Sequence, residues 1–462
     1  MEAFWDYSVW GFFNIFAILL FSLLVANALK KGIPFLEASL IPTSVLAGIL
    51  LLVFSMIYDQ FSDVKLFDSA VFNGSGYNYM EMITYHTLAL GFIAGSLKTT
   101  GGKLSKKRAN EIFNTGVTTV STYLVQAVVG MGITVIVAWV LPGFFKAAGL
   151  LLPFGFGQGT GQAMNYGNIY ETQFGFAGGK SFGLTVAALG FLSASFGGVI
   201  HLNILRKRGY IKTKKSQEGT ITENEIQSLD EIPMQESIDK FTIQVALIAL
   251  SYLVAYVLMW ILGNLIPGMK AVIYGFNFLL GVLAATLVKA VLNFLKKKGI
   301  AKREYTNNFL LTRASNFFYD IMVVAGIAAI RLDLIDDYWG ILIILGVVGL
   351  MVTYAYNRFV ANVLFKEYKE EQFLAMYGML TGTASTGIIL LREVDGDFKT
   401  PVADNLVYQN FPAIVFGFPI MLLATLAPVK PYLTLILLTL FLIVMNVILF
   451  RAQIFGKKKA KV

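Results

Sequence analysis

Cysteine is absent from this chain of 462 residues, and histidine occurs only twice, as His86 and His201. Disulfides, thiolate-bound metals, a cysteine nucleophile and a histidine-rich metal centre are therefore excluded. Charge is scarce too: 14% of the residues are Asp, Glu, Lys or Arg, and 56% are apolar. A soluble domain carries about 25% charged residues, so this chain has too few to cover a water-facing surface. The apolar residues come in blocks long enough for an α-helix to cross about 30 Å of hydrocarbon. The chain reads as an all-α polytopic membrane protein. A β-barrel, built from alternating segments of about 10 residues, does not fit, and neither does a soluble enzyme. No carboxylate pair, no nucleophile with its base and no metal cluster is evident, so no enzyme and no cofactor is expected. The net charge of +9 fits basic cytoplasmic loops, with no nucleic-acid partner.

Thirteen apolar stretches can be marked: 8–29, 36–57, 82–97, 112–141, 147–164, 181–205, 241–266, 271–295, 314–332, 339–365, 373–391, 403–427 and 432–450. The first follows Glu2 and Asp6, lacks the basic start of a signal peptide, and reads as a retained span. Two others are unsuited to plain spanning helices. The stretch 147–164 contains GFGQGTGQ (Gly155 to Gln162), and 373–391 contains GMLTGTASTG (Gly378 to Gly387). Such glycine density breaks a lipid-exposed helix. If every stretch crossed, the basic loops around Lys106–Arg108 and Arg206–Arg208 would lie on opposite sides. If the two Gly-rich stretches enter and leave by one face, eleven crossings remain. Every basic loop is then cytoplasmic, the N-terminus outside and the C-terminus inside, as the positive-inside rule asks.

That assignment predicts an inverted-topology repeat of two five-helix halves. Residues 1–205 form the first half, with its re-entrant segment near 147–164. The polar stretch 206–240 is a cytoplasmic linker. Residues 241–427 form the second half, with its re-entrant segment near 373–391, and 428–462 add a further span and a basic tail.

Two glycine-rich segments at membrane depth are how many secondary transporters build a site, because unwound backbone offers carbonyls to a cation and helix N-termini to an anion. Gln158, Thr160, Gln162 and Asn165 supply side-chain groups in the first segment, among the glycines 157, 159 and 161. Thr381, Thr383, Ser385 and Thr386, with Gly382, do so in the second. Neutral hydroxyl and amide oxygens suit a dehydrated Na⁺. Charges inside spans are functional by default. Asp320 is a candidate Na⁺ ligand or a partner of Arg313. Arg392 could grip a substrate carboxylate or pair with Glu393, Asp395 or Asp397. Lys289 and Arg358, near span ends, are expected to snorkel. His86 and His201 read as packed, hydrogen-bonded side chains.

The stretch LLLPFGFGQGTGQA (Leu150 to Ala163), followed by FGF (Phe174 to Phe176) and SFGGVI (Ser195 to Ile200), resembles the first signature region of the bacterial sodium/glutamate symporters. IPTSVLAG (Ile41 to Gly48) and the span Asn316 to Leu332 are similar to their counterparts there, and TGTASTGIILLRE (Thr381 to Glu393) matches the second signature more loosely. The resemblance covers most of 8–427, and its most specific element is Gly157 to Gly161. It implies Na⁺-coupled uptake of glutamate by an inverted-repeat, elevator-type carrier that is a homodimer in the plasma membrane. This chain departs from the family pattern at Gln158, where a His is common, and at Gln162, where a small residue stands. It also departs at Ser385 in place of a Pro, at the charged LLRE end, at Asp320 and in the appended span.

The expected function is thus secondary active transport: symport of Na⁺ with L-glutamate or a related acidic amino acid. Na⁺ would bind through Thr160, Asp320, Thr381, Ser385 and backbone carbonyls. A Na⁺- or H⁺-coupled carrier of another organic anion is the first alternative and a passive channel the second.

Overall fold

The structure is a computed structural model that describes residues 3–98, 105–210, 231–233, 238–300, 303–396 and 399–455. Most of the linker 206–240, the basic tail after Phe455, Asp397 and the side chain of Ser385 lie outside the described residues. The described residues are 82% helical and hold no strand.

The helices are α1 (Tyr7–Gly32), α2 (Pro34–Ala38), α3 (Thr43–Asp59), α4 (Gly76–Leu97), α5 (Lys106–Val140), α6 (Leu151–Phe174) and α7 (Gly179–Lys207). After the linker come α8 (Lys240–Leu265), α9 (Lys270–Gly275), α10 (Asn277–Lys297), α11 (Asn308–Ala328) and α12 (Trp339–Leu364). Then follow α13 (Lys369–Thr381), α14 (Ala384–Arg392), α15 (Val402–Tyr408), α16 (Asn410–Leu426), α17 (Pro431–Leu449) and α18 (Arg451–Phe455). Side-chain caps close several starts by accepting from otherwise orphaned amides. Ser105 accepts from Arg108 N, Asp239 from Phe241 N and Thr242 N, and Asn307 from Leu310 N. Among the described residues, seven helices are long and apolar enough to cross a membrane.

The outer surface of those helices suits hydrocarbon. On α8, Leu250, Leu253, Val257, Trp260 and Ile261 are exposed, whereas Gln244, Ser251, Ala255 and Gly263 are buried together with Ile248 and Met259. A water-soluble protein buries most of its large apolar side chains; here the inward face is mostly small and polar, which lets helices approach, and most of the bulky apolar side chains face out.

The chain divides into two compact units, and each takes helices from both halves of the sequence. Residues 1–26, 46–103 and 217–329 form unit 1; residues 27–45, 104–216 and 330–462 form unit 2. In unit 1, α4 packs on α10 and α11. Its core joins Ile93, Ala94 and Leu97 to Ile248, Ala285, Val288, Leu311 and Ala314. Cross-helix bonds from Ser315 Oγ to Gly91 O (2.9 Å) and from Asn277 Nδ2 to Tyr85 O (2.9 Å) fix the register. His86 is hydrogen-bonded to Tyr252 OH at 2.7 Å, and Lys289 donates to Lys98 O. Unit 2 is built around the long helix α5, which packs on α6, α12, α16 and α17. It contains both glycine-rich segments.

Candidate functional site

The first glycine-rich segment is two helical arms, 151–158 and 160–174, meeting at Gly159. That residue has φ +79° and ψ −171°, a region open to glycine almost alone. The arms fold back on each other. The rings of Phe154 and Tyr166 stack with centroids 3.9 Å apart, although twelve residues of straight helix would separate them by about 18 Å. The second segment has the same plan: α13 and α14 are joined by Gly382 and Thr383. A Cβ on Gly378 would lie 2.9 Å from Gly387 Cα, so the two arms touch backbone to backbone. Thr383 caps α14, its hydroxyl oxygen accepting from Thr386 N at 3.4 Å.

The sequence suggested unwound backbone through both segments. The structure confines the irregularity to Gly159 and to Gly382–Thr383, and the other glycines serve close packing. Gly155 is helical, and a Cβ there would sit 2.8 Å from Ala187 N on α7. Small residues let backbones approach where there is no water to drive helices together.

The two breaks are held by one turn of α5. Tyr123 OH donates to Gly157 O (3.0 Å), two residues before Gly159. Gln126 Nε2 donates to Leu380 O (2.9 Å), two residues before Gly382, and to Thr353 Oγ1 on α12 (2.9 Å). Gly190 on α7 is wedged between the same two places, for a Cβ there would lie 2.6 Å from Thr381 O and 3.1 Å from Phe156 Cα. Both breaks are thus parts of one buried assembly in unit 2.

Most of the candidate residues share that assembly. Thr160, Gln162, Asn165, Thr381 and Thr386 are buried, as are Gly157, Gly159, Gly161 and Gly382; Gln158 and Thr383 are half-buried. Asn165 Nδ2 donates to Gln162 Oε1 at 3.4 Å, while Gln162 Nε2 is buried without a hydrogen-bond partner. Thr381 Oγ1 donates to Tyr377 O at 2.6 Å, leaving its lone pairs to accept. Two candidates lie elsewhere. Asp320 is exposed on α11 in unit 1, and Arg392 is exposed at the C-terminal end of α14.

Sequence reasoning missed the α5 residues. Their signal is present: Thr115, Thr118, Thr119, Thr122 and Gln126 recur at helical spacing inside an apolar stretch, and all are buried. A polar stripe in a membrane helix must face protein or a cavity. It also missed the pairing at the base of the second hairpin. Arg358 does not snorkel: it forms a bidentate pair with Glu370 (2.6 and 2.8 Å). Glu370 also bonds His201 Nε2 at 2.9 Å, and His201 Nδ1 bonds Tyr354 OH at 2.7 Å. A carboxylate 3% exposed needs such compensation. Beyond the end of α7, Tyr210 OH donates to Glu371 at 3.1 Å. Burial first, and then that carboxylate, pushes its phenol up to about 12.

A model of the sodium/glutamate symporter family matches residues 11–399, which include both hairpins and the α5 turn that holds them. The chain belongs to the sodium/glutamate symporter family. No individual curated protein matches it. Membership makes the symporter an integral membrane protein and a transporter rather than an enzyme, with Na⁺ as the coupling ion. Unit 2 of the symporter accordingly contains two broken helical hairpins, with buried hydroxyl and amide groups at each break.

Proposed function

We propose that this symporter carries L-glutamate or a related acidic amino acid inward with Na⁺, and that the organic anion and the ion bind where the two hairpin breaks meet. The observation that carries the reading is the single turn of α5 that grips both breaks through Tyr123 and Gln126. Backbone carbonyls with Thr160, Thr381 and Ser385 bind Na⁺. The N-termini of the second arms at Thr160 and Ala384, with the unpartnered Gln162 Nε2, hold the carboxylates. Asp320 and Arg392 are further candidates, on α11 and at the end of α14. In this reading eleven helices cross, the N-terminus lies outside, and the hairpins enter from opposite faces as equivalent parts of an inverted repeat. The order long helix, hairpin, helix occurs twice, as α5–α6–α7 and as α12–α13/α14–α16, which supports it. Homodimers in the plasma membrane complete the picture. Na⁺ binding first offsets the repulsion between substrate carboxylates and the surrounding carbonyls, so the gradient drives accumulation.

The test is uptake of labelled L-glutamate into proteoliposomes with an inward Na⁺ gradient, against choline, with aspartate, citrate and malate as competitors. Concentrative, Na⁺-dependent uptake is expected. Na⁺-dependent uptake of citrate or malate but not glutamate would replace the substrate and keep the site. Flux indifferent to Na⁺ would defeat the coupling.

A further inference from the structure

Polar groups line a second place in unit 2, away from the hairpin breaks. It is the seam where α5, α13 and α15 pack together. Gln372, ten residues before Gly382 and thus about 15 Å along α13 from the break, is 1% exposed. Its Nε2 donates to Thr115 Oγ1 at 3.4 Å, and its Oε1 is buried with no partner. Asn405 on α15 is fully buried, and neither atom of its amide has a partner. It lies against Tyr368 without hydrogen-bond geometry, and Tyr368 in turn adjoins Glu111 on α5.

Packing and cross-helix bonds put these groups along one seam. Glu111, Thr115 and Thr119 follow each other one turn apart on α5; Tyr368 is the N-cap of α13 four residues before Gln372, and Gln409 is the C-cap of α15 four residues after Asn405. The upper layer is closed: Thr119 Oγ1 donates to Gln409 Oε1 at 2.8 Å, and Gln409 Nε2 reaches Met379 Sδ at 3.4 Å. The lower layer is Glu111, Tyr368 and Asn405. Thr115 and Gln372 lie between, and both Gln372 Oε1 and the Asn405 amide are buried without a partner in this seam. Orphaned buried amides are costly, and two in one seam call for an occupant.

We infer that this seam binds a dehydrated monovalent cation, Na⁺, through Gln372 Oε1, Asn405 Oδ1 and Thr115 Oγ1, as a second ion site distinct from the hairpin breaks. The ligands are hard, neutral oxygens, which suit Na⁺ rather than a soft metal. Glu111, the carboxylate beside Tyr368, is already paired with Arg108 at 2.8 Å, and Asp404, next to Asn405 on α15, is exposed and faces the same Arg108 at 3.7 Å, so neither brings the seam the uncompensated charge that a divalent ion would need. The site ties α5 to the first arm of the second hairpin and to the helix after it, so filling it would stiffen the base of that hairpin. The inference rests on Na⁺ being the coupling ion and not on which anion is carried.

The experiment uses the full-length purified protein and its Gln372→Met, Asn405→Leu and Asn405→Asp variants. Thermal stability is measured in a Na⁺ series against choline at constant ionic strength, with no organic anion present. In proteoliposomes, Na⁺ activation of uptake is measured at saturating anion. Gln372→Met and Asn405→Leu should raise the half-stabilising Na⁺ concentration by about tenfold or more. The Hill coefficient of Na⁺ activation should fall toward 1, and the KM of the anion at saturating Na⁺ should stay near the wild-type value. Asn405→Asp, which adds charge to one ligand, should lower the Na⁺ requirement. If the first two variants fold with the wild-type choline stability and keep the wild-type Na⁺ series, the seam holds only water and the inference is overturned. If they fail to fold, an Asn405→Asp protein with unchanged Na⁺ dependence overturns it. A wild-type protein indifferent to Na⁺ in both assays would overturn the coupling reading together with the site. Na⁺ stabilisation without glutamate uptake would retire the substrate alone.

Discussion

Replacing Gly159 by alanine should disable transport while leaving the protein in the membrane. At φ +79° and ψ −171°, an alanine side chain meets its own backbone, and such a residue costs about 1–3 kcal/mol. At 1.4 kcal/mol per factor of ten, the intact break would lose about 5- to 150-fold in population relative to a relaxed tip. Apparent affinity falls with the fraction of molecules that can bind. The penalty falls on one residue, so most of the packing that sets overall stability is untouched. Gly175 is the matched control, since it too has a positive φ, +70°, but in the αL region with open space around a Cβ. Alanine there costs about 1–2 kcal/mol at the end of α6, away from the break. Na⁺-dependent uptake in proteoliposomes, with KM for anion and for Na⁺, is the assay, alongside the Tm of the purified protein. A Gly159→Ala protein with KM and maximal rate within about twofold of wild type, or a Gly175→Ala protein equally impaired, would refute the reasoning that this break forms the site.

Gln126→Leu removes the donor to Leu380 O and Thr353 Oγ1. It should cost about 0.5–2 kcal/mol and show as a KM raised several-fold with little change in expression. Gly190→Val, driven against Thr381 O and Phe156, should abolish uptake because neither backbone can retreat, and uptake close to wild type would remove α7 from the site. Arg358→Met takes the bidentate partner from the buried carboxylate of Glu370, leaving it His201 alone, and should lower stability by up to about 3–5 kcal/mol. Adding Glu370→Leu should recover much of that loss in a thermal melt, and no recovery would mean that the pair is not what holds the hairpin base. Because the chain has no cysteine, single introduced cysteines report topology directly. In intact cells an impermeant thiol reagent should label Ser62→Cys, and should label Lys298→Cys only after permeabilisation.

Some of this protein was legible in its residues because the relevant physics is local. Scarce charge and long apolar blocks decide the solvent, and in hydrocarbon a continuous helix is the way to satisfy the backbone. The glycine clusters told where helices would break, since glycine tolerates the required dihedral angles, although only Gly159 and Gly382–Thr383 are irregular. Hydrogen-bonded roles for His86 and His201 followed from their isolation on apolar helices, but not their partners.

What only the tertiary structure decided is which distant groups meet. The stripe Thr115 to Gln126 announces a polar face, yet nothing in its spacing says that Tyr123 and Gln126 reach Gly157 and Leu380. Arg358 and Glu370, twelve positions apart, could each have reached water, and packing of α7, α12 and α13 brought them together instead. Asp320 and Arg392 drew attention as charges in apolar stretches, and both prove exposed, because the periodicity of a single helix does not tell which side its neighbours occupy. The division into two units, each drawn from both halves, has the same origin. Chain order and composition set the helices, and side-chain complementarity between residues hundreds of positions apart sets their partners.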